Sequence, residues 1–394
     1  MEKHGEIQLE EVMEGAGKFI VPLPPNTKGP AKRSGDIFYN PSMQFDRDMS
    51  IIVMSSLLSG LSRQNPMVLD ALCASGIRGL RYSIEIPIMV PESSPSITLN
   101  DVSPEAVHVA NKNALLNCQD VTITNEKAQA IMHRERFDVI DIDPYGSAVP
   151  FLDAGINGTR HGGILAFTAT DTAVACGTYG RTCKRRYQAA GLKNHLCHET
   201  GLRIMMGHAV RRAAENDIAI HPLLCYYSDH YFRIYARIDR SRHSASKQLE
   251  KISFGVYHRD TGEVELLKGE PCTSLPVTKN SQTFGPFWSG RLLDDNALER
   301  ITVFSQHRHV SSMRNAERIL KLIKLWNEEA RMPPFFYETA DVGRRMAKSS
   351  PTISAILNGL RDSGHIASRT HFTPTGIKTD ATSGEFMRIF SNPS

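Results

Sequence analysis

Between residues 66 and 170, short apolar runs alternate with stretches of helical spacing, and this alternation constrains the fold more than any other feature of the chain. Strands that alternate with helices are typical of a parallel sheet covered on both faces. Because crossovers between parallel strands are right-handed, the predicted fold class is α/β, with a doubly wound sheet. Five parallel strands are predicted, at Met67–Leu72, Ile97–Leu99, Val121–Thr124, Phe137–Ile142 and Gly162–Thr168.

Further along the chain, the pattern predicts a long helix and then two strands. The helix has Leu202, Met206, Ala209 and Val210 on one face, and the strands are Ile218–Tyr227 and Tyr231–Ile238. The tight segment between these strands predicts an antiparallel hairpin at one edge of the sheet. We place a domain boundary at the basic segment Arg240–Lys247, which gives a first domain of residues 1–240 and a smaller α+β domain of residues 241–394.

The second domain has a pattern typical of a winged-helix-like module. Helical spacing is found over Ile319–Trp326 and again over Ile353–Leu360, where Gly364 closes the helix. Two strands, Ile366–Phe372 and Glu385–Phe390, are predicted to form the wing.

Composition excludes several classes of protein. No run approaches the roughly 18 apolar residues of a membrane-spanning helix, and the polar N-terminus indicates no secretion signal, so we expect a cytoplasmic protein without a membrane partner. The net charge of +4 permits a polyanionic partner without requiring one. Seven cysteines without CxxC spacing predict neither a disulfide framework nor a metal site. Nothing indicates an obligate protein partner.

A turn of small residues follows the first predicted strand and is the candidate cofactor site. Ligands of doubly wound sheets bind beyond the carboxyl ends of the strands, where the chain order reverses. The turn Ala71–Gly76 lets a ligand approach the backbone, and its spacing fits an amino-acid carboxylate better than a dinucleotide. Arg78 can pair with that carboxylate.

The second and third predicted strands are followed by candidate contacts for a ribose and for an adenine ring. Asp101 follows the second strand, where a carboxylate accepts from ribose hydroxyls, although aspartate there is also a common turn or capping residue. Lys127 and Ala128 follow the third strand, where an adenine ring would lie. Lys127 cannot accept from the adenine amine, so Glu126 or a backbone carbonyl is the candidate acceptor, and a plain surface loop is the competing interpretation.

The fourth predicted strand ends in Asp143-Pro144-Tyr145, which is the candidate catalytic site. An exocyclic amine on a base is a weak nucleophile, and acceptors such as the Asp143 carboxylate and the Pro144 carbonyl localise its lone pair. Asp143 also serves as proton acceptor, and Tyr145 offers a ring on which an extruded base can stack. A simple Asp-Pro turn is the alternative. Asp141 is expected to face away from the site and to be structural.

Several longer segments resemble the tRNA guanine-26 N2-methyltransferase family, archaeal type. They cover roughly residues 37 to 390, and the last two belong to that family's distinctive C-terminal domain. They are the runs FYNP and DRD, LDALCASGIRGLR, IDIDPYGSAVPFLDA, TATDTAVACGTYGRTCKRRY, HETGLRIMMGHAVRRAAENDIAIHPLL, SDHYFRIYARI, GPFWSG and SRTHFTPTGIKTDA.

The resemblance implies a Rossmann-like methyltransferase domain that uses S-adenosyl-L-methionine to methylate N2 of a tRNA guanine once or twice. It implies that Arg47 and Arg78 hold the methionine end of the cofactor, with Asp101 on the ribose. Lys127, where the family typically has aspartate, would lie at the adenine with Ala128. Many family members also carry a four-cysteine zinc site, which the lone Cys272 cannot form, so no metal is expected.

A tRNA partner would require cationic side chains that contact its phosphates. Cationic side chains bind phosphates, although a solvated helix face is an equal alternative for the first three. The candidates are Lys184, Arg185 and Arg186, together with Arg369, His371 and Lys378 in the predicted wing. Two alternatives to the tRNA enzyme remain: an amino-methyltransferase acting on DNA adenine or protein glutamine, and a non-catalytic RNA-binding protein on the same fold.

Overall fold

Strands and helices alternate in the first part of the chain. The computed structural model describes residues 9–23, 37–61, 63–268 and 280–392. The strands up to residue 169 are β1 (Leu9–Glu14), β2 (Gly17–Pro22), β3 (Met67–Asp70), β4 (Ser96–Asn100), β5 (Thr122–Thr124), β6 (Phe137–Ile142) and β7 (Thr159–Ala169). The helices there are α1 (Gln44–Leu58), α2 (Ile77–Met89), α3 (Pro104–Leu116), α4 (Ala128–Arg134) and α5 (Val149–Gly158), with a short 3-10 turn at Pro41–Met43.

The remainder of the chain mixes helices with antiparallel strands. Its strands are β8 (Ala219–Ser228), β9 (Tyr231–Asp239), β10 (Ile252–His258), β11 (Val264–Lys268), β12 (Ser281–Trp288), β13 (Tyr337–Glu338), β14 (Ala367–Arg369) and β15 (Gly376–Thr379). Its helices are α6 (Thr172–Ala175), α7 (Gly180–Tyr187), α8 (Cys197–Ala214), α9 (Arg242–Leu249), α10 (Asp295–Phe304), α11 (Arg308–Ser311), α12 (Ala316–Glu329), α13 (Thr339–Met346), α14 (Ile353–Asp362) and α15 (Ser383–Ser391).

Two compact units share the chain and are interleaved along it. The first comprises the described residues of Met1–Pro144 with Pro150–Phe167 and Glu299–Ile323. The second comprises those of Tyr145–Val149, Thr168–Leu298 and Lys324–Ser394. The predicted boundary at Arg240–Lys247 overlaps α9, within the second unit. The functional division into residues 1–240 and 241–394 stays a prediction.

The first unit is built on parallel strands in the order β5-β4-β3-β6-β7. All six residues of β6 are buried, as expected for a strand covered by helices on both faces. The chain runs outward from β3 through β4 to β5 and then returns to place β6 on the other side of β3. The order therefore reverses between β3 and β6, and the crevice beyond their carboxyl ends is the expected ligand site.

The second unit contains the predicted hairpin and the predicted long helix. Strands β8 and β9 pair antiparallel, with Tyr227 opposite Phe232. Helix α8 lies so close to β12 that a Cβ added at Gly207 would be 2.8 Å from the Trp288 backbone nitrogen. The predicted fold class, α/β with a mostly parallel doubly wound sheet and an antiparallel hairpin, is confirmed.

The C-terminal module confirms the two predicted helices and the first wing strand but not the second. Segment 385–390 is helical, because Phe386, Ile389 and Phe390 recur at helical spacing and bury one face in the core of the module. Thr382 and Glu385 form a capping box that begins this helix, α15. The strand that pairs with β14 is β15, whose four residues are all buried.

Among the helices that the structure describes, none combines the length and the apolar character needed to cross a bilayer.

Candidate functional site

The turn after β3 is held in shape by backbone hydrogen bonds to both neighbouring strands. The Ala71 amide donates to the Asp141 carbonyl at 2.9 Å, and the Cys73 amide donates to the Asn100 carbonyl at 2.8 Å. Gly76, with φ of +80°, is the N-cap of α2, and a Cβ there would be 3.1 Å from the Ala110 Cβ. Glycine thus permits both the left-handed backbone and the close approach of α3. The N-terminus of α2 therefore follows this turn directly, and the positive end of its helix dipole lies there.

Arg78, the second residue of α2, is a buried cation at the centre of this crevice, with 6% of the residue exposed. Its Nη1 donates to the Ser50 hydroxyl at 2.8 Å, and its Nη2 donates to the Asp46 carboxylate at 2.7 Å and to the Asp143 carboxylate. The structure therefore brings together two residues, Arg78 and Asp143, that lie 65 positions apart in the sequence.

Asp141 lies beside the same guanidinium, with its Oδ2 3.9 Å from Arg78 Nη1. The expectation that Asp141 faces away from Asp143 is wrong, because residues two apart on a strand share a face. The Asp141 carboxylate is fully buried and accepts from the Tyr82 hydroxyl at 2.6 Å. It contributes to the charge balance around Arg78 and is out of reach of solvent.

Asp70 at the end of β3 is a further buried carboxyl of this cluster. Burial raises the pKa of Asp70 to about 7, and the neighbouring Asp141 and Asp143 contribute to this rise, against the lowering effect of Arg78. Its Oδ2 accepts from the Gly79 amide at 3.0 Å. Four carboxyl groups thus surround one guanidinium, and a proton on Asp70 reduces the excess of negative charge.

The three candidate catalytic residues differ in exposure. The Asp143 side chain is 22% exposed, and Pro144 is buried. Tyr145 is 60% exposed, which leaves its ring accessible to an aromatic partner. The roles of the three residues in catalysis stay predictions, but their exposure suits a carboxylate and a ring that meet a substrate from solvent.

Arg47 on α1 is held by another buried side chain. Its Nε and Nη2 donate to the Glu14 carboxylate at 2.6 and 2.7 Å. Burial alone would raise the pKa of Glu14, but Arg47 and Arg81 lower it to about 2. Arg47 already makes a bidentate pair with Glu14. A contact between Arg47 and a cofactor carboxylate therefore stays a prediction.

Asp101, after β4, braces the turn after β3. Its Oδ2 accepts from the Ala74 amide at 2.9 Å, and its Oδ1 accepts from the Ser103 amide at 2.9 Å. The structure shows Asp101 as a turn residue, and its role as a ligand of the ribose stays a prediction. Each carboxylate oxygen has a second lone pair, so a residue that orders the turn can also accept from a ribose hydroxyl.

The loop before α4 exposes Lys127 and buries Ala128. Glu126, the candidate acceptor for an adenine amine, is bound in a bidentate pair by Arg134 at 2.6 and 2.8 Å. The Glu126 carbonyl accepts from the Asn100 side chain at 3.1 Å. The apolar Ala128 fits a ring at this position, and the adenine contact stays a prediction.

The basic helix α7 displays its cations to solvent. Lys184, Arg185 and Arg186 are all exposed, and Tyr179 just before the helix is 59% exposed. Arg186 pairs with Asp171, which leaves Lys184 and Arg185 as the less constrained cations of the three.

Two of the three predicted wing contacts are wrong in their proposed role. His371 is buried, pairs with the Glu329 carboxylate and accepts from the Tyr227 amide at 3.3 Å. Lys378 is 4% exposed and donates to the Glu199 carboxylate at 2.8 Å. Burial would raise the pKa of Glu199, but Lys378 and Arg203 hold it at about 2. Both side chains are buried against carboxylates, so neither is placed to reach a phosphate from solvent.

Arg369, in contrast, is exposed. Its proposed contact with RNA stays a prediction.

Several residues of the site were not predicted from the sequence. Asp46 and Ser50 both bind Arg78, and they lie on α1 within one helical turn of each other. The i, i+4 spacing of these two polar residues places them on one face of the helix, which is the signal that indicates a shared polar contact. Asp70 offered a similar signal as a charged residue at the end of an apolar strand.

One protein family matches this chain over nearly its whole length. A sequence profile described as N2,N2-dimethylguanosine tRNA methyltransferase matches residues 16–391. The tRNA (guanine(26)-N(2))-dimethyltransferase of Pyrococcus abyssi is 34% identical over 404 residues, which cover 98% of this chain and 100% of that protein. The enzyme of the same name from Saccharolobus solfataricus is 34% identical over 395 residues, with 98% and 100% coverage.

The fold has a matching solved structure, that of Trm1 from Pyrococcus horikoshii in complex with S-adenosyl-L-methionine. It is 34% identical, has a TM-score of 0.82, and the match covers 96% of this chain and 99% of that one.

Proposed function

This chain belongs to the N2,N2-dimethylguanosine tRNA methyltransferase family, and we propose that Asp143 is the residue at which it methylates N2 of guanine 26 in tRNA. The enzyme is an S-adenosylmethionine-dependent tRNA (guanine-N2)-methyltransferase. The single observation that supports the assignment of Asp143 is its position. It is a partly exposed carboxylate at the topological switch point, in contact with the buried Arg78.

The residues around the crevice fit the proposed cofactor. Arg78 has five N–H donors, and its bonds to Ser50, Asp46 and Asp143 use one at Nη1 and both at Nη2. Asp141 lies 3.9 Å from Nη1, so Nε–H is the donor that we propose for a ligand carboxylate. The N-terminus of α2 adds a positive partial charge beside the same turn. Asp101 offers the acceptor for ribose hydroxyls. We therefore propose Arg78 and Asp101 as the cofactor contacts, with Arg47 and the loop at Lys127 and Ala128 as outer contributors.

S-adenosylmethionine supplies a methyl group on a sulfonium sulfur, which is the electrophile. The Asp143 carboxylate and the Pro144 carbonyl accept the two N–H bonds of the guanine amine, so the nitrogen lone pair points away from them. The nitrogen lone pair forms the new N–C bond as the C–S bond breaks, and the nitrogen then loses one proton. Asp143 is the nearest candidate to take that proton.

Guanine 26 must leave its stack to reach Asp143, at a cost of about a few kcal/mol. The exposed ring of Tyr145 is the proposed stacking surface, and the cations of α7 together with Arg369 are the proposed phosphate contacts that offset this cost. With tRNA as the substrate, we propose that the protein works in the cytoplasm. Transfer of one or of two methyl groups is compatible with this chemistry, and the family name favours two.

The test is the substitution Asp143→Asn, which keeps the shape of the side chain but not its charge. We expect methyl transfer to fall by about 10²-fold or more, because the acceptor for the amine protons is lost. S-adenosylmethionine should still bind, since Arg78 and Asp101 are unchanged. Mass spectrometry of nucleosides from reacted tRNA and titration calorimetry with the cofactor measure the two quantities.

The matched control is Asp120→Asn, which changes an exposed carboxylate of the same unit and should leave both quantities unchanged. Activity of Asp143→Asn equal to that of the control would remove Asp143 from the reaction. Loss of cofactor binding together with activity would instead assign Asp143 to the cofactor site.

A further inference from the structure

Two cysteines and a histidine of the second unit lie close together in the structure. They are Cys176, which follows α6, and Cys197 and His198, which begin α8. One ligand atom from each side chain lies within 4.8 Å of the other two. None of the three has a role in the chemistry proposed above.

The spacing of these atoms is close to that of a tetrahedral metal site. Ligands with Zn–S bonds of about 2.3 Å and tetrahedral angles lie about 3.8 Å apart, so a contraction of about 1 Å or less would bring the three onto one ion. Two thiols and an imidazole are a donor set that selects Zn²⁺ or another soft divalent ion over Mg²⁺ or Ca²⁺.

The surroundings constrain two of the three ligands. His198 is stacked on Tyr227, with ring centroids 3.9 Å apart and planes 12° apart, which fixes the plane of the imidazole. Cys176 is buried at 6% exposure, and it precedes Gly177, where a Cβ would be 2.9 Å from the Gly191 carbonyl carbon. The backbone that carries Cys176 is therefore packed tightly against a second loop.

Cys197 and His198 are each partly exposed. A fourth coordination position on an ion held here would face solvent, which leaves room for a water ligand. Cys197 also lies at the N-terminus of the 18-residue helix α8, where the helix dipole favours the thiolate that binds a metal.

We propose that Cys176, Cys197 and His198 bind a zinc ion, with water as the fourth ligand. The ion would join the two ends of the segment from residue 176 to residue 197, which contains the basic helix α7. Because a crosslink of this kind restricts the unfolded chain more than the folded one, the ion would stabilise the second unit and the position of α7 within it.

Cobalt is the probe for the test, because Co²⁺ occupies zinc sites and reports thiolate ligands by a charge-transfer absorption band. The full chain, stripped with a chelator, should bind about one equivalent of Co²⁺ with this band, and Zn²⁺ should displace it. The substitutions Cys176→Ser and Cys197→Ser should weaken binding at least about tenfold and diminish the band. Thermal unfolding with and without Zn²⁺ should show a rise in Tm for the parent chain that these two variants lack.

Two further variants keep the outcome decisive. Cys118→Ser changes an exposed cysteine of the first unit and should bind like the parent. His198→Cys replaces one zinc ligand by another and should retain the ion, which separates removal of a ligand from failure to fold. A titration without a charge-transfer band, or a band unchanged in Cys197→Ser, would overturn the proposal. These readouts do not involve methyl transfer, so they stand or fall independently of the proposed catalytic role of Asp143.

Discussion

Arg78 illustrates how one residue organises the site. Its guanidinium is almost fully buried and would be costly to bury without partners, yet Asp46, Ser50 and Asp143 satisfy it from two elements. The same pairing fixes the orientation of Asp143, the proposed acceptor of the guanine amine. A substitution at Arg78 is therefore expected to affect both the cofactor carboxylate and the position of Asp143.

Asp70 gives a prediction about pH at the same scale. Its pKa is raised from 3.8 to about 7, so the native state binds more protons than the unfolded state across this window. The stability that Asp70 contributes is fully present below pH 3.8 and is lost as the pH rises through about 7. We expect Asp70→Asn to gain stability over the parent chain between pH 4 and pH 8, on the order of 4 kcal/mol, in urea unfolding at each pH.

Asp153→Asn, at an exposed position on α5, is the matched control and should show no such trend. A stability difference between Asp70→Asn and the parent that stays constant from pH 4 to pH 8 would contradict the raised pKa.

At the scale of elements, the cationic face of helix α7 is predicted from the sequence and exposed in the structure. A short run with Lys184, Arg185 and Arg186 predicts a cationic face, and the structure exposes all three while burying Cys183 and Tyr187. Helical periodicity explains this agreement, because residues at helical spacing share one face, which is either buried in the core or exposed to solvent.

Removal of two of these cations should weaken tRNA binding, because fewer phosphates are neutralised. We expect the double substitution Lys184→Ala and Arg185→Ala to lower the slope of log K against log salt by about 0.7 to 0.9 for each phosphate that is no longer neutralised. Cofactor affinity should stay unchanged. Filter binding or fluorescence anisotropy over a range of salt concentrations measures the slope. Lys112→Ala on α3 is the control, and a slope equal to that of the parent chain would exclude α7 from the interface.

The C-terminal elements show where a local pattern predicts the wrong structure. Segment 385–390 alternates well enough to predict a strand, but the capping box at Thr382 and Glu385 and the spacing of Phe386 and Phe390 favour a helix. The helix α15 forms because that spacing buries both rings in the core of the module. Both signals are present in the sequence, and burial in the folded module decides between them.

At the scale of the whole molecule, the second unit includes residues on both sides of the predicted boundary at Arg240. Helix α8 precedes that boundary and β12 follows it, yet Arg203 on α8 donates to the Trp288 carbonyl at 3.0 Å. The contact at Gly207 shows the same close packing of α8 on β12. The fragment of residues 1–240 would leave this apolar surface of α8 exposed.

We therefore expect a chain ending at Arg240 to aggregate or to unfold without cooperativity, although it contains every residue proposed to bind the cofactor. Size-exclusion chromatography and thermal unfolding followed by circular dichroism test this expectation. A monomeric fragment with a cooperative transition and normal cofactor affinity would show that residues 1–240 form an independent domain.

The sequence by itself determined the alternation of strands and helices and the meeting of Arg78, Asp101 and Asp143 at one edge of the sheet. Those features follow from local periodicity and from the rule that parallel strands end at the same edge. Only the tertiary structure decided that His371 and Lys378 are buried. It also decided that Arg47 pairs with Glu14, and that Cys176 lies close to Cys197 and His198. Burial and charge pairing depend on which distant segment packs against a side chain, and no local pattern contains that information.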